Sequence, residues 1–444
     1  MDLRLQQRLL AGPATAQELG QLLGISQPSV SRLLRQYRAE LAVIGAARST
    51  RYALRKPLRD LPADMPVQRI DRSGRASLIG VLNSVHGGLL YEDVEQRSTE
   101  LYDGLPWFLA DMRPQGFLGR GFSRRYPELG LPTRITDWTD EHVLYALARR
   151  SEDEVGNLLV GEESFARWHA APPLSTVIAD QRAQTYPQLA ERALVQELAG
   201  SSAGGEHPKF AALIVPAGSD TAPSPDDGMH VLVKFSEPLD TGSGERWGDL
   251  LRAEHLALDC LREAGLPAAH SRLIAAGNRV FLEVERFDRI GARGRAGLMS
   301  LGTVDDQFVG RRRRWHDTAL ELQRQALLSD QDVDRIGWLE AFGACIANSD
   351  MHFGNLSLLY EGRMPLRLAP AYDMLPMAYA PQRGEVRTPD FRPASPPLRA
   401  LEEARAALQA ARIFWQRLEQ DENISAAFRS IAAVNEKQLG LQRW

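Results

Sequence analysis

Apolar positions near the start of the chain recur at helical spacing, and after residue 40 they shorten into strand-like runs. Thr15 and Glu18 stand three apart at the head of QELGQLL, the arrangement of a capping box, and Gly24 breaks that helix. Ser26 caps the next helix, with Pro28 tolerated in its first turn. Val30, Leu33, Leu34 and Tyr37 form its buried face and leave Ser31, Arg32 and Arg35 on the other side. AVIG and RYALR follow as two short strands around a tip at residues 47–50. Residues 58–70 are Pro-rich and read as a linker, and residues 71–195 as a mixed α/β segment that includes the strand-like ASLIGVL. From residue 196 a loop of small residues, ELAGSSAGGEHPKF, leads into the apolar strand ALIV. A Gly- and Ser-containing loop, the alternating strand MHVLVKF, the helical run LLRAEHLALDCLREAGL and the strand RVFLEVERFD come next. Residues 330–444 are mostly helical, including DRIGWLEAFGACIA and ALEEARAALQAARIFWQRL.

Over residues 1–57 the order is that of a winged helix-turn-helix, whose second helix of the pair enters the major groove of DNA. Gln27, Ser29, Ser31, Arg32 and Arg35 are then the residues facing bases and phosphates, with Arg48 and Arg51 on the wing. The alternative is a three-helix interaction module with solvated arginines. Charge favours DNA. Residues 1–60 hold ten Lys/Arg against four Asp/Glu, a balance of +6, while the whole chain carries −4, so the remainder carries −10. A basic head on an acidic body suits a polyanionic partner.

Composition is that of a globular protein, with 44% hydrophobic and 25% charged residues over 444 positions, enough for two to four domains. The two cysteines, Cys260 and Cys345, lie in apolar helical patterns and read as buried free thiols of a reducing compartment. No apolar run nears the ~20 residues of a membrane helix, and the first residues lack a signal peptide's apolar segment. These features predict a cytoplasmic protein. The His residues are scattered, without metal-ligand spacing.

Four features match the needs of phosphoryl transfer, which are to hold phosphates, hold Mg²⁺ and orient a hydroxyl. The loop from Gly200 to Lys209 lets backbone N–H groups approach phosphate oxygens, with Gly204 and Gly205 supplying freedom, although no P-loop G-K-[ST] follows. Lys234 ends an apolar strand. Glu254 lies three, four or seven positions from Leu250, Leu251, Ala257, Leu258 and Leu261, so its carboxylate falls inside an apolar stripe, where an unpaired charge is costly. Lys234 is the expected partner, as in the Lys–Glu pair of a kinase small lobe, and the element order of residues 196–290 matches that lobe; the plainer readings are a Lys234 that only snorkels and a Glu254 exposed on the stripe's edge. In NSDMHFGNLS, Asp350 and Asn355 stand five apart, the spacing of a kinase base and a metal-binding Asn; a turn is the plainer reading of the same residues. Asp373, in AYDMLP, completes the set as a second Mg²⁺ ligand.

NSDMHFGN, AYDMLP, VERFDR and the SSAGGEHPK loop together resemble the HipA-like serine/threonine kinases of bacterial toxin–antitoxin systems, and LYDGLPWFLADMRPQG resembles that family's N-terminal region. The likeness spans roughly residues 70–440. It implies ATP and Mg²⁺ as cofactors, with Ser202, Gly204, Gly205 and Lys209 in the phosphate loop, Lys234 on the ATP phosphates, and Glu285 and Phe287 at the adenine hinge. Asp350 becomes the base, and Asn355 and Asp373 the metal ligands. Ser202, or its neighbour Ser201, becomes the site of autophosphorylation, which in that family ejects the loop and inactivates the enzyme. An aminoacyl-tRNA synthetase becomes the expected substrate. In the family's usual arrangement a separate antitoxin binds DNA; the head here suggests a subgroup with its own DNA-binding module. Two departures stand out. Gly354 replaces a frequent Lys or Arg, and SLGTVDDQF, only partly familial, is followed by RRRRW, four arginines that are either solvated or grip a nucleic acid or an acidic substrate.

The expected architecture is α+β: a winged helix-turn-helix at 1–57, a linker at 58–70, an N-terminal subdomain with the kinase small lobe at 71–290, and a helical lobe at 291–444. The expected activity is Ser/Thr protein phosphorylation, with DNA bound through the head and a symmetric homodimer on paired half-sites. The rival readings are a transcription regulator with a sensing kinase-like body, and an enzyme acting on DNA or on a small molecule.

Overall fold

The fold is described from a computed structural model, which describes residues 1–170, 175–198, 207–217, 228–392 and 401–442. The chain divides into two compact units, residues 1–114 with 127–173, and residues 115–126 with 174–444.

The first unit opens with helices Leu3–Leu10, Ala16–Leu23 and Gln27–Gln36 and a three-stranded sheet of Ala14–Thr15, Arg51–Leu54 and Leu41–Ile44. The Thr15–Glu18 capping box is formed, and Gly24 closes its helix in the left-handed region at φ +65. Leu5, Leu9, Leu19, Val30 and Leu34 make the small core, each worth roughly 1.5–3 kcal/mol of burial. This is the element order expected for residues 1–57.

The expected linker is a correction. Asp64–Ile70 forms a strand flanked on both sides, by Ala76–Val85 and by Leu158–Val160, in a five-stranded antiparallel sheet completed by Gly88–Asp93 and Ser98–Tyr102. Pro66 is tolerated because the Leu158–Val160 ladder begins only at Val67, so no strand bond at residue 66 needs the missing N–H on that side. The head is also no appendage. Ala42, Ile44 and Ala53 of its hairpin share one buried cluster with Val85 and Leu90 of the sheet. His86 N donates to Leu54 O at 2.9 Å, Lys56 N to Ser84 O at 2.9 Å, and Gly45 N to Thr99 Oγ1 at 2.6 Å.

The second unit contains a separate five-stranded sheet in the order Ser271–Ala276, Arg279–Glu285, Met229–Phe235, Lys209–Val215, Ser175–Ile178. The expected single segment 71–290 is therefore two sheets in two units, and nothing divides the second unit at 290. Strand alternation decides what Met229–Phe235 offers each face. Val231, Val233 and Phe235 join Tyr186, Leu189, Phe210 and Phe281 in a core under helix Arg182–Leu198. Lys234 points the other way, toward helix Gly242–Glu263. The helical part comprises Leu301–Phe308, Trp315–Arg324, Asp330–Cys345, Leu401–Gln420 and Ala426–Gly440, with a small sheet of Leu298–Ser300, Ser357–Leu359 and Arg367–Leu368. Trp415 Nε1 donates to Cys345 O at 3.0 Å and so satisfies one of the carbonyls left open where helix Asp330–Cys345 ends. No helix among the described residues is long and apolar enough to cross a membrane.

Candidate active site

Glu254 is 0% exposed and Lys234 8% exposed. The Lys234 ammonium donates to both Glu254 oxygens, at 2.7 and 2.8 Å, and also to the Asp373 carboxylate. The charge placed in the apolar stripe of helix Gly242–Glu263 is thus compensated from the neighbouring strand, the condition under which a buried carboxylate is tolerable. Two carboxylates share one ammonium. Burial opposes the charge on Lys234, but Asp373 and Glu254 outweigh it and hold its pKa above the ordinary lysine value. Burial raises Glu254 from its ordinary value, with Lys234 counteracting and the Asp373 charge adding to the rise. Burial also works against the Asp373 carboxylate, yet Lys234 and Lys209 bring it down to about 2.

Asp373 sits at φ +54, a left-handed conformation that a non-glycine residue adopts only where its surroundings hold it. Those surroundings are the 348–357 loop. Asn348 Nδ2 donates to the Asp373 carbonyl at 3.3 Å, and Asn348 Oδ1 accepts from Asp350 N at 3.1 Å. Asn355 Nδ2 donates to Asp350 O at 2.8 Å. Tyr372 OH donates to Gly354 O at 2.7 Å and stands 2.7 Å from Ser357 Oγ. Asp373, Asp350 and Asn355, far apart along the chain, therefore belong to one hydrogen-bonded pair of loops. The amide nitrogen of Asn355 is engaged, and its Oδ1 has no hydrogen-bond partner among the described residues. That oxygen and the Asp373 carboxylate are the hard donors this site offers a divalent cation. No group of three or more His, Cys, Asp or Glu among the described residues forms a metal cage, so bound phosphates and water would complete any coordination shell. Asp350 itself is exposed.

Lys209 begins the strand next to Lys234 and lies opposite it in register. Glu285 ends its strand, and the Phe287 ring lies 5.9 Å from that of Tyr372, beside Asp373. Ser202, Gly204 and Gly205, with Ser201, lie outside the described residues. In the head, Gln27, Arg32, Arg35 and Arg51 are exposed, while Ser29 and Ser31 are half-buried. Ser29 Oγ lies 3.0 Å from Ser26 Oγ, and Arg35 Nε donates to Ser31 O. The side chain of Arg48 lies outside the described residues.

Three participants escaped the sequence reading. Asn348 was legible only as a turn residue two places before Asp350. Tyr372 gave no signal except its position next to Asp373. His207 packs at a tilt against Trp247, 4.4 Å between ring centres, and burial, with Lys234 and Lys209, pushes it well below its ordinary value.

The HipA-like C-terminal domain matches residues 201–437, and the middle domain of YjjJ-like toxins matches residues 61–169. The chain belongs to the HipA-like family. It is 41% identical to Toxin YjjJ of Escherichia coli K12 over 429 residues, covering 96% of this chain and 94% of that protein. Among solved structures it is similar to HipA of Shewanella oneidensis, seen in a complex with HipB and operator DNA, at a TM-score of 0.54 and 15% identity over 84% of this chain and 95% of that one. That likeness is one of fold. As a HipA-like toxin, this chain sets the Lys234–Glu254–Asp373 cluster within its HipA-like C-terminal domain.

Proposed function

We propose that this HipA-like toxin is an ATP- and Mg²⁺-dependent serine/threonine protein kinase that carries its own DNA-binding head. The observation that supports this most is the meeting of Lys234, Glu254 and Asp373, with Asp373 hydrogen-bonded through Asn348 into the loop that carries Asp350 and Asn355. Lys234, held protonated by its two carboxylates, binds nucleotide phosphates, and Lys209 adds a second positive charge beside it. Phe287 and Glu285 flank the adenine. Asn355 and Asp373 hold the Mg²⁺, which supplies charge neutralisation on the phosphates. Asp350, exposed and fixed by its backbone bond to Asn348, accepts the proton of the substrate hydroxyl. The hydroxyl oxygen bonds to the γ-phosphorus as the bond from that phosphorus to the β–γ bridging oxygen breaks.

The family resemblance makes a translation component, an aminoacyl-tRNA synthetase first, the expected substrate, and Ser202 the site of autophosphorylation. HipA of Shewanella oneidensis assembles with HipB and operator DNA. Here the exposed Arg32, Arg35 and Arg51 equip the head for DNA directly. A cytoplasmic location follows from such partners. Incubation of wild type and Asp350→Asn with γ-labelled ATP tests the activity. Label on the protein or on an added synthetase is expected with wild type, and at least ~100-fold less with the variant. Equal labelling, or none with either, overturns the kinase reading.

A further inference from the structure

The proposed chemistry leaves the four arginines at 311–314 unused. They are exposed, and their backbone is built rather than frayed. Asp305, 0% exposed, accepts from Arg311 N and from Arg312 N, both at 2.9 Å, and from Thr318 Oγ1 at 2.6 Å. Arg312 is held at φ +38, a conformation non-glycine residues avoid and one that concentrates at functional sites. Immediately after the run, Trp315 Nε1 donates to His352 O at 3.3 Å, inside the loop that carries Asp350. A methyl group on Gly302 would stand 3.4 Å from Phe353 Cβ and 3.5 Å from the Arg312 guanidinium, so Arg312 and that loop approach each other across Gly302. The run is therefore mounted beside the loop that carries the proposed base.

Its charges are not equivalent. Arg312 is bound to Asp306, with Nε to Oδ1 at 2.7 Å, and Arg314 lies 3.4 Å from Asp317 and 3.5 Å from Glu340. Arg311 and Arg313 have no ion-pair partner among the described residues. Resting on the kinase reading of this site, we propose that Arg311 and Arg313 form a specificity subsite for the protein substrate, selecting an acceptor serine or threonine with carboxylates within a few residues of it. The planar guanidinium fork matches a carboxylate in two parallel hydrogen bonds and loses less freedom per bond formed than a lysine ammonium does. A nucleic acid fits less well. Its phosphates need many cations along a track, and this short run is bordered by the carboxylates of Asp306, Asp317 and Glu340.

The test uses the full chain and fluorescent peptides with one central serine and acidic, neutral or basic flanks. Anisotropy reads binding, which does not depend on phosphate transfer. Wild type is expected to bind the acidic peptide at least ~10-fold tighter than the neutral one, and Arg311→Ala/Arg313→Ala to lose that preference with an unchanged melting temperature. Arg311→Glu/Arg313→Glu is expected to turn the preference toward the basic peptide. In transfer assays the double alanine variant should raise KM for the acidic peptide about as much as it weakens binding, with kcat and KM for ATP unchanged. Equal binding of all peptides by wild type, a preference untouched by the double variant, or a larger loss for a single-stranded oligonucleotide than for the acidic peptide overturns the subsite. Asp350→Asn keeps the peptide preference while losing transfer, so failure of the kinase reading and failure of the subsite give different results.

Discussion

Two carboxylates around one lysine make this site sensitive to acid in a particular direction. Asp373 is lowered from 3.8 to about 2, so its contribution to stability is complete above about 3.8 and disappears as the pH falls toward 2. Glu254 is raised, so its ionisation weighs against the fold at neutral pH and protonation relieves it. Comparing wild type with Asp373→Asn isolates the first effect. The variant is expected to melt lower than wild type at pH 5–7, and the gap should close between pH 4 and 2. Thermal melts across that range check it; a gap that stays constant or widens in acid would show that Asp373 is not ionised against Lys234. The two free thiols are buried: burial pushes Cys260 up to about 11 and Cys345 up to about 12, as buried structural cysteines require.

At the level of elements, the same periodicities that build the helices and strands also deliver the charged groups. Helical spacing put Glu254 among leucines, which demanded a cation, and strand alternation put Lys234 on the matching face. Both were legible because each conflicts with its own local pattern. The Asp64–Ile70 strand was not legible: Asp64 and Pro66 argue against a strand locally, and only the tertiary ladders on either side override them. The bond from Asn348 to Asp373, joining loops 25 positions apart, lay equally beyond pattern reading. In the head, helix Gln27–Gln36 buries Val30 and Leu34 and leaves Arg32 and Arg35 exposed, as its spacing required. If that helix and the wing grip DNA, Arg48→Ala and Arg51→Ala each weaken binding uniformly across sequences and reduce the salt slope by about 1. Titrations of a duplex at several salt concentrations check this. An unchanged slope in both would remove the wing from the interface.

At the scale of the first compact unit, the wing and the middle sheet are one packed structure. Ile44 and Val85 are 4% and 2% exposed and belong to the same cluster, although one lies in the head and the other in the sheet. The turn between the strands ending at Val85 and beginning at Gly88 also touches the head. Gly87, at φ +100, has no room for a side chain, since a Cβ there would stand 2.8 Å from Pro13 Cδ. Arg55 strengthens the seam by donating to Asp64 at 2.6 Å and also to Asn83. A head on a flexible tether would melt alone; a head whose hairpin shares a buried cluster with the sheet is expected to open together with it. Ile44→Ala should cost about 2–4 kcal/mol. Hydrogen exchange should rise in strands Ala76–Val85 and Gly88–Asp93 as well as in Leu41–Ile44. Leu9→Ala, which lies in the head's inner cluster, serves as the comparison, with its effect concentrated in the three helices. Exchange that changes only within residues 1–57 for Ile44→Ala would mean that the head opens independently of the sheet. Coupled opening would instead mean that DNA held on the wing bears directly on the stability of the middle domain, because a ligand that binds only the closed head stabilises everything that must open with it.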